Sequence, residues 1–385
     1  MVNKKQQLGQ FFTTNSDYIL KGFDKYIKNK EVIDPFAGNG DLIKWAKKHG
    51  VKTIKGYDAD FKYVDNRKIF LNDSLNRSLR YDFILTNPPY LNINKANKEI
   101  KEKYFKNFEF EDLYQISLFS IMDSDEGIVI VPINFLSAEN SKKIRNIFFS
   151  KFRIVKMNYF KHQVFPDTTY NVIAFYYKKK KNIFDDRFLI KTRIYPDNKI
   201  IDIELKKDFG WSIGGELISA IKNQENYLGV YRLTEEDIAK NNGPIKINAS
   251  YNHIKTHIKI GVSKEIYNLI KSNVILLKAI DSGTEQGKIA LENIKKYGVD
   301  CLISKSSSRH MIYLIFKKQI PVEEQKKIIK LFNKEINKFR DFYLSLFLTN
   351  YRDNDRKRIS FDFTYKFINY LYLNRINSSV KQLSF

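Results

Sequence analysis

The feature that most constrains this chain is the segment Asn87-Pro88-Pro89-Tyr90, which directly follows an apolar run at Tyr81–Thr86. The run is predicted to be a buried strand because it is apolar, short and rich in aromatic and β-branched residues. Proline cannot donate to a sheet, so the strand must end where the two prolines begin. An asparagine and a stiff backbone therefore lie at the carboxyl end of a strand, where open α/β sheets bind ligands.

The chemistry of that segment suits a planar NH2 group. The amide oxygen of Asn87 and the carbonyl oxygen of Pro88 can accept the two hydrogens of one such group. The ring of Tyr90 can stack on the ring that carries it. An exocyclic amine, such as N6 of adenine, fits this description.

Strand-like and helix-like segments alternate through the first half of the chain, which is typical of parallel sheets with crossover helices. We therefore predict an α/β fold with a doubly wound, mostly parallel sheet, whose last two strands are the candidates for an antiparallel pair. The predicted strands are Glu31–Phe36, Val51–Asp58, Lys68–Asn72, Tyr81–Thr86, Gly127–Val131, Phe152–Tyr159 and Asn171–Tyr177. The predicted helices are Asp41–His49, Glu111–Met122 and Ala138–Phe149.

The second half lacks this alternation. From about Phe209 helix-like and strand-like pieces follow one another without a βαβ period, and Asn241–Pro244 is a turn signal. Ile329–Phe342 is predicted to be an amphipathic helix. We therefore predict two domains, residues 1–210 and 211–385, the second of mixed α+β structure.

A glycine-rich segment begins at the end of the first predicted strand, with the sequence Asp34-Pro35-Phe36-Ala37-Gly38-Asn39-Gly40. Two glycines spaced by one residue let the backbone turn sharply and approach a ligand closely. A dinucleotide site requires a third glycine, but that position is Ile43. The Gly-Lys-Ser/Thr of a phosphate loop is also absent from the sequence.

Aspartates mark the ends of the first three predicted strands, at Asp34, Asp58 and Asp73. An acid about twenty positions past the glycines can accept hydrogen bonds from ribose hydroxyls, and one at the third strand can accept a hydrogen bond from an adenine amino group. Each aspartate alone is more commonly a helix cap or turn residue. Their order, followed by the Asn-Pro-Pro-Tyr segment, favours a nucleoside-containing ligand.

The chain carries 67 Lys and Arg against 43 Asp and Glu, a formal net charge of +24. This excess favours a polyanionic partner, although a lysine-rich composition alone would also produce it.

A single cysteine, Cys301, excludes a disulfide framework and a zinc cluster, and it fits a reducing cytoplasm. We expect a cytoplasmic protein with no metal and no membrane association, since no signal peptide or bilayer-length apolar run is present.

Taken together, these motifs resemble those of S-adenosylmethionine-dependent DNA adenine-N6 methyltransferases of the gamma class, over roughly residues 7–177. Gly9–Thr13 is similar to the N-terminal motif that closes over the methionine end of the cofactor, and Asp34–Gly40 to the glycine loop. The resemblance implies a Rossmann-like methyltransferase domain followed by a target-recognition domain. It also implies binding of S-adenosyl-L-methionine by Thr13, Asp34, Phe36, Gly38, Gly40, Asp58, Asp73 and Asn87.

A further match lies at Tyr159–Pro166, which contains the sequence Val-Phe-Pro before an apolar strand. The family that the chain resembles stacks this phenylalanine on a flipped adenine, which implies that Phe165 and Tyr90 sandwich the base. A core phenylalanine is the alternative interpretation. By this resemblance the catalytic residues are Asn87, Pro88, Tyr90 and Phe165, and methyl transfer is a direct displacement without a covalent enzyme intermediate.

The second half is expected to supply most contacts to double-stranded DNA. Two polar, basic loops, Ser304–His310 and Asn350–Arg358, suit phosphate and base-edge contacts, although either alone could be an ordinary solvated loop. The candidate contact residues are Arg309, Arg352, Arg356 and Arg358. We expect a monomer, with a cognate restriction endonuclease as a further partner.

Three other functions remain open at this stage. The same Asn-Pro-Pro-Tyr motif occurs in enzymes that methylate a glutamine amide in protein or guanine N2 in RNA. A non-catalytic DNA-specificity subunit could also retain the fold. The Val-Phe-Pro context of Phe165, the Gly9–Thr13 segment and the basic second half disfavour a protein substrate, whereas charge alone does not separate DNA from RNA.

Overall fold

The computed structural model describes residues 9, 11–166, 170–182, 184–281, 287–308, 310–343, 350–352 and 356–377, with side chains described outside 341–357. The chain divides into two compact units. The first comprises residues 1–215 and 351–355, and the second comprises residues 216–350 and 356–385.

The first unit contains both strands and helices, and in the described residues its last four strands follow one another without a helix between them. Its strands are β1 Glu31–Asp34, β2 Thr53–Asp58, β3 Ile69–Leu71, β4 Tyr81–Thr86, β5 Ser124–Pro132, β6 Phe152–Phe160, β7 Val172–Lys179, β8 Arg187–Tyr195 and β9 Lys199–Lys206. Its helices are α1 Ser16–Ile19, α2 Asp24–Ile27, α3 Asp41–Lys48, α4 Lys98–Ile100, α5 Leu113–Ser120, α6 Asn134–Ser137 and α7 Lys142–Lys151. A π-helical turn, Lys101–Phe105, extends α4.

These strands form one sheet in the order β3-β2-β1-β4-β5-β7-β6-β8-β9. The strands from β3 to β5 are all parallel. β7 is antiparallel to both of its neighbours, β5 and β6. The predicted α/β fold with a mostly parallel sheet is therefore confirmed, and the carboxyl ends of β1 to β4 meet at one edge.

The middle of the sheet is apolar on both faces because helices cover it. Ile128, Val129, Ile130 and Val131 of β5 are all fully buried. A side chain at Gly127 would place its Cβ 2.7 Å from the carbonyl oxygen of Ile84, so β4 and β5 approach here more closely than any larger residue allows.

Two parts of the first unit differ from the sequence prediction. The β8–β9 hairpin was not predicted, although Asn198, with a φ of 57°, and Pro196 mark its turn. The chain also stays in the first unit through Gly215, five residues past the predicted boundary. The reason is that Trp211 is buried and stacks on Phe188 at 5.3 Å.

The second unit is a mixed α+β structure. The strands after Lys206 are β10 Val230–Arg232, β11 Ile245–Tyr251, β12 His253–Val262, β13 Ile275–Lys278, β14 Ile280–Asp281, β15 Ala290–Asn293, β16 Cys301–Ile303, β17 Met311–Phe316, β18 Asn350–Arg352 and β19 Arg356–Arg358. The helices are α8 Gly215–Lys222, α9 Glu235–Lys240, α10 Lys264–Ser272, α11 Val322–Tyr343 and α12 Phe361–Leu371.

A four-stranded sheet, β10-β17-β13-β15, lies at the centre of this unit and is buried on both faces. Leu277 and Leu314 belong to an apolar cluster with Phe332 of α11 and Phe367 of α12. The alternate residues Leu276, Tyr313 and Ile315 belong to a second cluster, which covers the sheet β12-β11-β16 and α10. Among the helices that the structure describes, none is long and apolar enough to cross a membrane.

Candidate functional site

A cavity of about 410 Å³ opens in the first unit beside the carboxyl ends of β1 to β4. Most of the residues that the sequence assigned to a cofactor line it: Thr13, Asp34, Phe36, Gly38, Asp58, Asp73 and Asn87. Residues as far apart in the chain as 13 and 87 thus meet at one place. The cavity is within the range of a small-molecule or cofactor site.

Asp34 provides a buried carboxylate at this cavity. Its Oδ1 accepts hydrogen bonds from the Phe36 backbone N–H at 3.1 Å and the Thr86 hydroxyl at 2.7 Å. Its Oδ2 is buried without a hydrogen-bond partner among the described residues. Burial raises the pKa of Asp34 to about 7. A buried acceptor with this capacity fits a cationic or hydrogen-bond-donating ligand group.

Asp58 connects β2 to the glycine loop. Its two oxygens accept from the backbone N–H groups of Gly38 and Asp60, each at 2.8 Å. Burial raises the pKa of Asp58 above its ordinary value. A Cβ at Gly56 would lie 2.6 Å from the Cβ of Ala37, so only glycine allows the loop to pack this closely on β2.

Gly40 does not line the cavity, unlike the other predicted cofactor residues. It adopts a φ of 73° immediately before α3, and its N–H donates to the Ala37 carbonyl at 2.8 Å. A left-handed conformation of this kind costs a residue other than glycine about 1–2 kcal/mol. Gly40 therefore shapes the loop turn.

Asp73 is the acceptor of three donors on a single oxygen. Its Oδ2 lies 3.0 Å from each of the Tyr104 hydroxyl, the Asn76 amide nitrogen and the Lys103 ammonium. Lys103 and Tyr104 also line the cavity and were missed in the sequence. No motif marks them, because their position depends on how the segment containing α4 folds back over β3.

The side chain of Asn87 is oriented by the N-terminal segment. Its NH2 group donates to the Phe11 carbonyl at 2.7 Å and to the Thr13 hydroxyl at 3.1 Å. The Tyr90 N–H donates to the Gly9 carbonyl at 2.8 Å. Because both amide hydrogens are engaged by residues 11 and 13, the orientation of the amide is set and Oδ1 is left as the acceptor.

Tyr90 is buried, and its hydroxyl is within hydrogen-bonding distance of two acceptors. These are Asn87 Oδ1 and the Ile130 carbonyl, the latter at 2.8 Å. Burial raises the pKa of Tyr90 well above its ordinary value. The sequence suggested a role for the ring alone, whereas here the hydroxyl also joins the Asn-Pro-Pro-Tyr segment to β5. Pro88 is buried beside it, and Pro89 lines the cavity.

The rings of Phe11, Tyr90 and Phe165 form an aromatic trio next to the cavity. The ring centroids of Tyr90 and Phe165 are 6.4 Å apart, with planes inclined at 68°. Phe11 lies 5.3 Å from Tyr90 and 6.4 Å from Phe165. A base stacked between two parallel rings needs them about 7 Å apart, twice the contact distance of two carbon atoms. The predicted sandwich is therefore not open in this structure, because the three rings bury one another.

Of the four arginines that are predicted to contact DNA, only Arg358 has a described side chain. Arg309 lies outside the described residues, and the side chains of Arg352 on β18 and Arg356 on β19 lie outside the described side chains. Arg358 is half-buried on β19, opposite Ile280 of β14. Their role in DNA binding stays a prediction.

In the described residues no group of three or more His, Cys, Asp or Glu could hold a metal ion.

Residues 6–165 match the family model described as the Eco57I restriction-modification methylase. The match covers less than half of the chain and contains the glycine loop, the three aspartates and the Asn-Pro-Pro-Tyr segment. No curated protein matches the chain.

Three solved structures show how far the likeness extends. A modification subunit ascribed to a type I restriction enzyme from Vibrio vulnificus is 18% identical over 50% of this chain and 48% of its own, with a TM-score of 0.39. A type I methyltransferase subunit from Streptococcus thermophilus is 14% identical over 48% of each chain, with a TM-score of 0.34. The type IIL enzyme MmeI in complex with DNA is 12% identical over 79% of this chain and 59% of its own, with a TM-score of 0.45.

The chain spans about half the length of the Vibrio vulnificus and Streptococcus thermophilus proteins. With identities and TM-scores this low, interpretation of the site depends on the family match and on the residues themselves. Residues 6–165 are similar to Eco57I restriction-modification methylases, and this match supports a methyltransferase of the restriction-modification type.

Proposed function

We propose that the protein is a site-specific DNA methyltransferase that transfers a methyl group from S-adenosyl-L-methionine to N6 of a flipped adenine in duplex DNA. It acts as the modification enzyme of a restriction-modification system. The observation that carries the proposal is the Asn87 amide, which lines a cavity together with Asp34, Asp58 and Asp73 and whose NH2 group is engaged by Phe11 and Thr13.

The residues at the cavity fit the groups of the proposed cofactor. The unpartnered Oδ2 of Asp34 suits the α-ammonium of the methionine part. Asp58 lies at the end of β2, and each of its oxygens has a second lone pair for a ribose hydroxyl. The Oδ1 of Asp73 is an acceptor for an adenine amino group, while Lys103 and Tyr104 hold the other oxygen.

When bound, S-adenosyl-L-methionine supplies an electrophilic methyl group on a sulfonium. The task of the protein is to orient the amine nitrogen of the target base. Asn87 Oδ1 and the Pro88 carbonyl oxygen accept its two hydrogens, which favours a pyramidal nitrogen whose lone pair points at the methyl carbon. Transfer of the methyl group would leave a methylated ammonium on the base, and this acidic group would release its proton to solvent without a strong base.

The target base must leave the duplex to reach this amide. Tyr90 and Phe165 are the proposed stacking rings, and Phe11 lies close enough to both to form a third side. Because the trio is packed closed, Phe165 or Phe11 must turn aside as the base enters. The energy of stacking, on the order of 1–3 kcal/mol per base, can offset this rearrangement.

We further propose that the second unit binds double-stranded DNA as part of a cytoplasmic monomer, with a restriction endonuclease as the functional partner. The net charge of +24 supports a polyanionic substrate. Arg309, Arg352, Arg356 and Arg358 remain candidates for phosphate or guanine contacts.

The test is transfer of a labelled methyl group from S-adenosyl-L-methionine to duplex DNA, to structured RNA and to protein, compared side by side. We expect label in duplex DNA, recovered as N6-methyladenine after digestion to nucleosides. Asn87→Ala serves as the inactive control. Label mainly in RNA or in a glutamine side chain would overturn the proposal in favour of one of the other methyltransferases. DNA binding without any transfer would favour a specificity subunit.

A further inference from the structure

The strands β11 and β12 of the second unit form a two-stranded antiparallel ribbon at the edge of its small sheet. One face of the ribbon is apolar and belongs to the core cluster that includes α10, with the residues Ile245, Ile247, Ala249, Ile258, Ile260 and Val262. This packing holds the ribbon firmly in place. Asn252, with a φ of 57°, makes the tight connection between the two strands.

The opposite face of the ribbon is exposed and cationic. Lys246, Asn248, Lys255, His257 and Lys259 are all exposed on it. In the pairing of the two strands, Asn248 lies opposite Lys259 and Lys246 lies opposite Gly261. Residues 245–264 contain four lysines and two histidines but no aspartate or glutamate. The exposed side chains of this face therefore include three lysines and no carboxylate, although Ser250 on the same face is buried.

The carboxylates at the margins of the ribbon are already engaged. Asp300 forms an ion pair with Lys271 at 2.6 Å and accepts from the Asn248 backbone N–H at 3.0 Å. Glu235 accepts from the Tyr251 hydroxyl. Within the described part of the chain, Lys246, Lys255 and Lys259 have no ion-pair partner, so their charge is available to a ligand.

We infer that the exposed face of the β11–β12 ribbon is a contact surface for duplex DNA. This inference rests on the proposed function and adds the surface through which the second unit binds. A two-stranded ribbon fits the major groove, which is roughly 12 Å wide. The three lysines neutralise phosphates at the groove walls, while Asn248 and His257, between them, are positioned for base edges.

Lysines on an exposed edge strand can also serve only to prevent sheet-to-sheet aggregation. The two roles differ in what they predict for salt dependence. Each phosphate contact releases counterions and adds about 0.9 to the slope of log affinity against log salt. A lysine that only protects an edge adds nothing to that slope.

The test compares two triple variants of the full chain by duplex-DNA binding over a range of salt. The first is Lys246→Gln with Lys255→Gln and Lys259→Gln, for which we expect the magnitude of the slope to fall by about 2.7. The control is Lys327→Gln with Lys330→Gln and Lys334→Gln on the exposed face of α11, which removes the same charge. We expect the control slope to stay near that of the wild type. Melting temperature and S-adenosyl-L-methionine binding should be the same for both variants.

The outcomes separate the inference from the proposed function. If the ribbon variant binds duplex DNA with the same slope as the wild type, the ribbon does not contact phosphates. This conclusion holds even when the wild type methylates DNA. Self-association of the ribbon variant with an unchanged slope would assign the lysines to edge protection and overturn the inference. A wild-type protein that binds and methylates RNA but not duplex DNA would overturn both proposals together.

Discussion

The two sides of the cavity differ in how completely they are arranged for a ligand. On the β1–β2 side, the glycine loop and Asp58 are fixed by backbone hydrogen bonds, and Asp34 retains an unpartnered oxygen. On the catalytic side, the Tyr90 hydroxyl bonds the Asn87 oxygen and three aromatic rings pack together. The β1–β2 side is therefore fixed before any ligand binds, whereas under the proposed function the aromatic side must rearrange before a base can enter.

The largest effect is expected for Asn87→Ala on the base side. Removing an acceptor that acts mainly in the transition state should lower kcat by about 100- to 1,000-fold, as for other preorganised polar groups. Cofactor affinity should change by less than about tenfold, since Asn87 is only one of many residues at the cavity. Single-turnover methylation and cofactor titration measure the two effects. A variant that keeps most of its turnover would remove Asn87 from catalysis.

Asp34→Asn is expected to act on the cofactor side. A charged acceptor of this kind contributes about 1.5–3 kcal/mol, so the cofactor dissociation constant should rise by roughly 10- to 150-fold. The rate of the chemical step at saturating cofactor should stay close to that of the wild type. Isothermal titration and saturating kinetics separate these quantities. An unchanged dissociation constant would mean that the unpartnered oxygen does not face the cofactor.

The same aspartate predicts a dependence of stability on pH. Burial raises its pKa from 3.8 to about 7, so the folded protein binds this proton more tightly than the unfolded chain does. Its contribution to the free energy of unfolding is therefore fully present below about pH 4 and falls as pH rises to about 7. The loss is at most about 4 kcal/mol, at 1.36 kcal/mol for each pKa unit.

Urea unfolding at pH 5 and pH 8, without cofactor, measures this contribution. Asp34→Asn should reduce the difference between the two pH values. Asp65→Asn is the matched control, because hydrogen bonds from the backbone N–H groups of Ile69, Lys68 and Arg67 lower the pKa of Asp65 to about 2. That carboxylate is ionised throughout the interval, so its removal should leave the pH difference unchanged. A wild-type protein that gains stability relative to its Asp34→Asn variant between pH 5 and pH 8 would contradict the sign.

Phe165→Ala tests the aromatic trio. We expect productive binding of the target base to weaken by about 1–3 kcal/mol, the usual contribution of one stacked base. A 2-aminopurine at the target position reports extrusion of the base by its fluorescence. Phe184→Ala removes a ring that is 78% exposed in the same unit and should have no effect. Equal fluorescence and activity in both variants would make Phe165 a core residue.

The smallest effect is expected for Tyr90→Phe, which keeps the ring and removes its hydroxyl. The Ile130 carbonyl and Asn87 Oδ1 then lose a donor in a buried place, which costs about 1–3 kcal/mol of stability. Activity should fall by about tenfold, because the amide of Asn87 is less firmly oriented. Thermal melting and steady-state kinetics provide the readout. A variant indistinguishable from the wild type would show that only the ring matters.

The sequence predicted those parts of the structure that depend on local rules. β4 has the predicted bounds because two prolines must end it, and Asp34, Asp58 and Asp73 line one cavity because parallel strands end at the same edge. The predicted helix at Ile329–Phe342 lies within the longer α11, whose apolar stripe is regular.

Other parts depend on contacts between residues far apart in the chain. The bond from Asn87 to Phe11 spans 76 positions, and the ion pair of Lys103 with Asp73 depends on how an irregular segment folds back. The strands of the second unit are often two to four residues long, too short to show a period. The exposed ribbon was also missed, although the alternation in His253–Val262 is visible in the sequence.

The contact between Gly9 and Tyr90 links two regions that are 81 positions apart. A Cβ at Gly9 would lie 2.8 Å from the Tyr90 backbone, so the N-terminal segment can lie here only because this residue has no side chain. Local unfolding of that segment would release Gly9, Phe11 and Thr13 together, and the Asn87 amide would then rotate. The orientation of the Asn87 amide and the docking of Gly9, Phe11 and Thr13 therefore depend on one equilibrium, and exchange of the Tyr90 amide hydrogen measures how often this docking is lost.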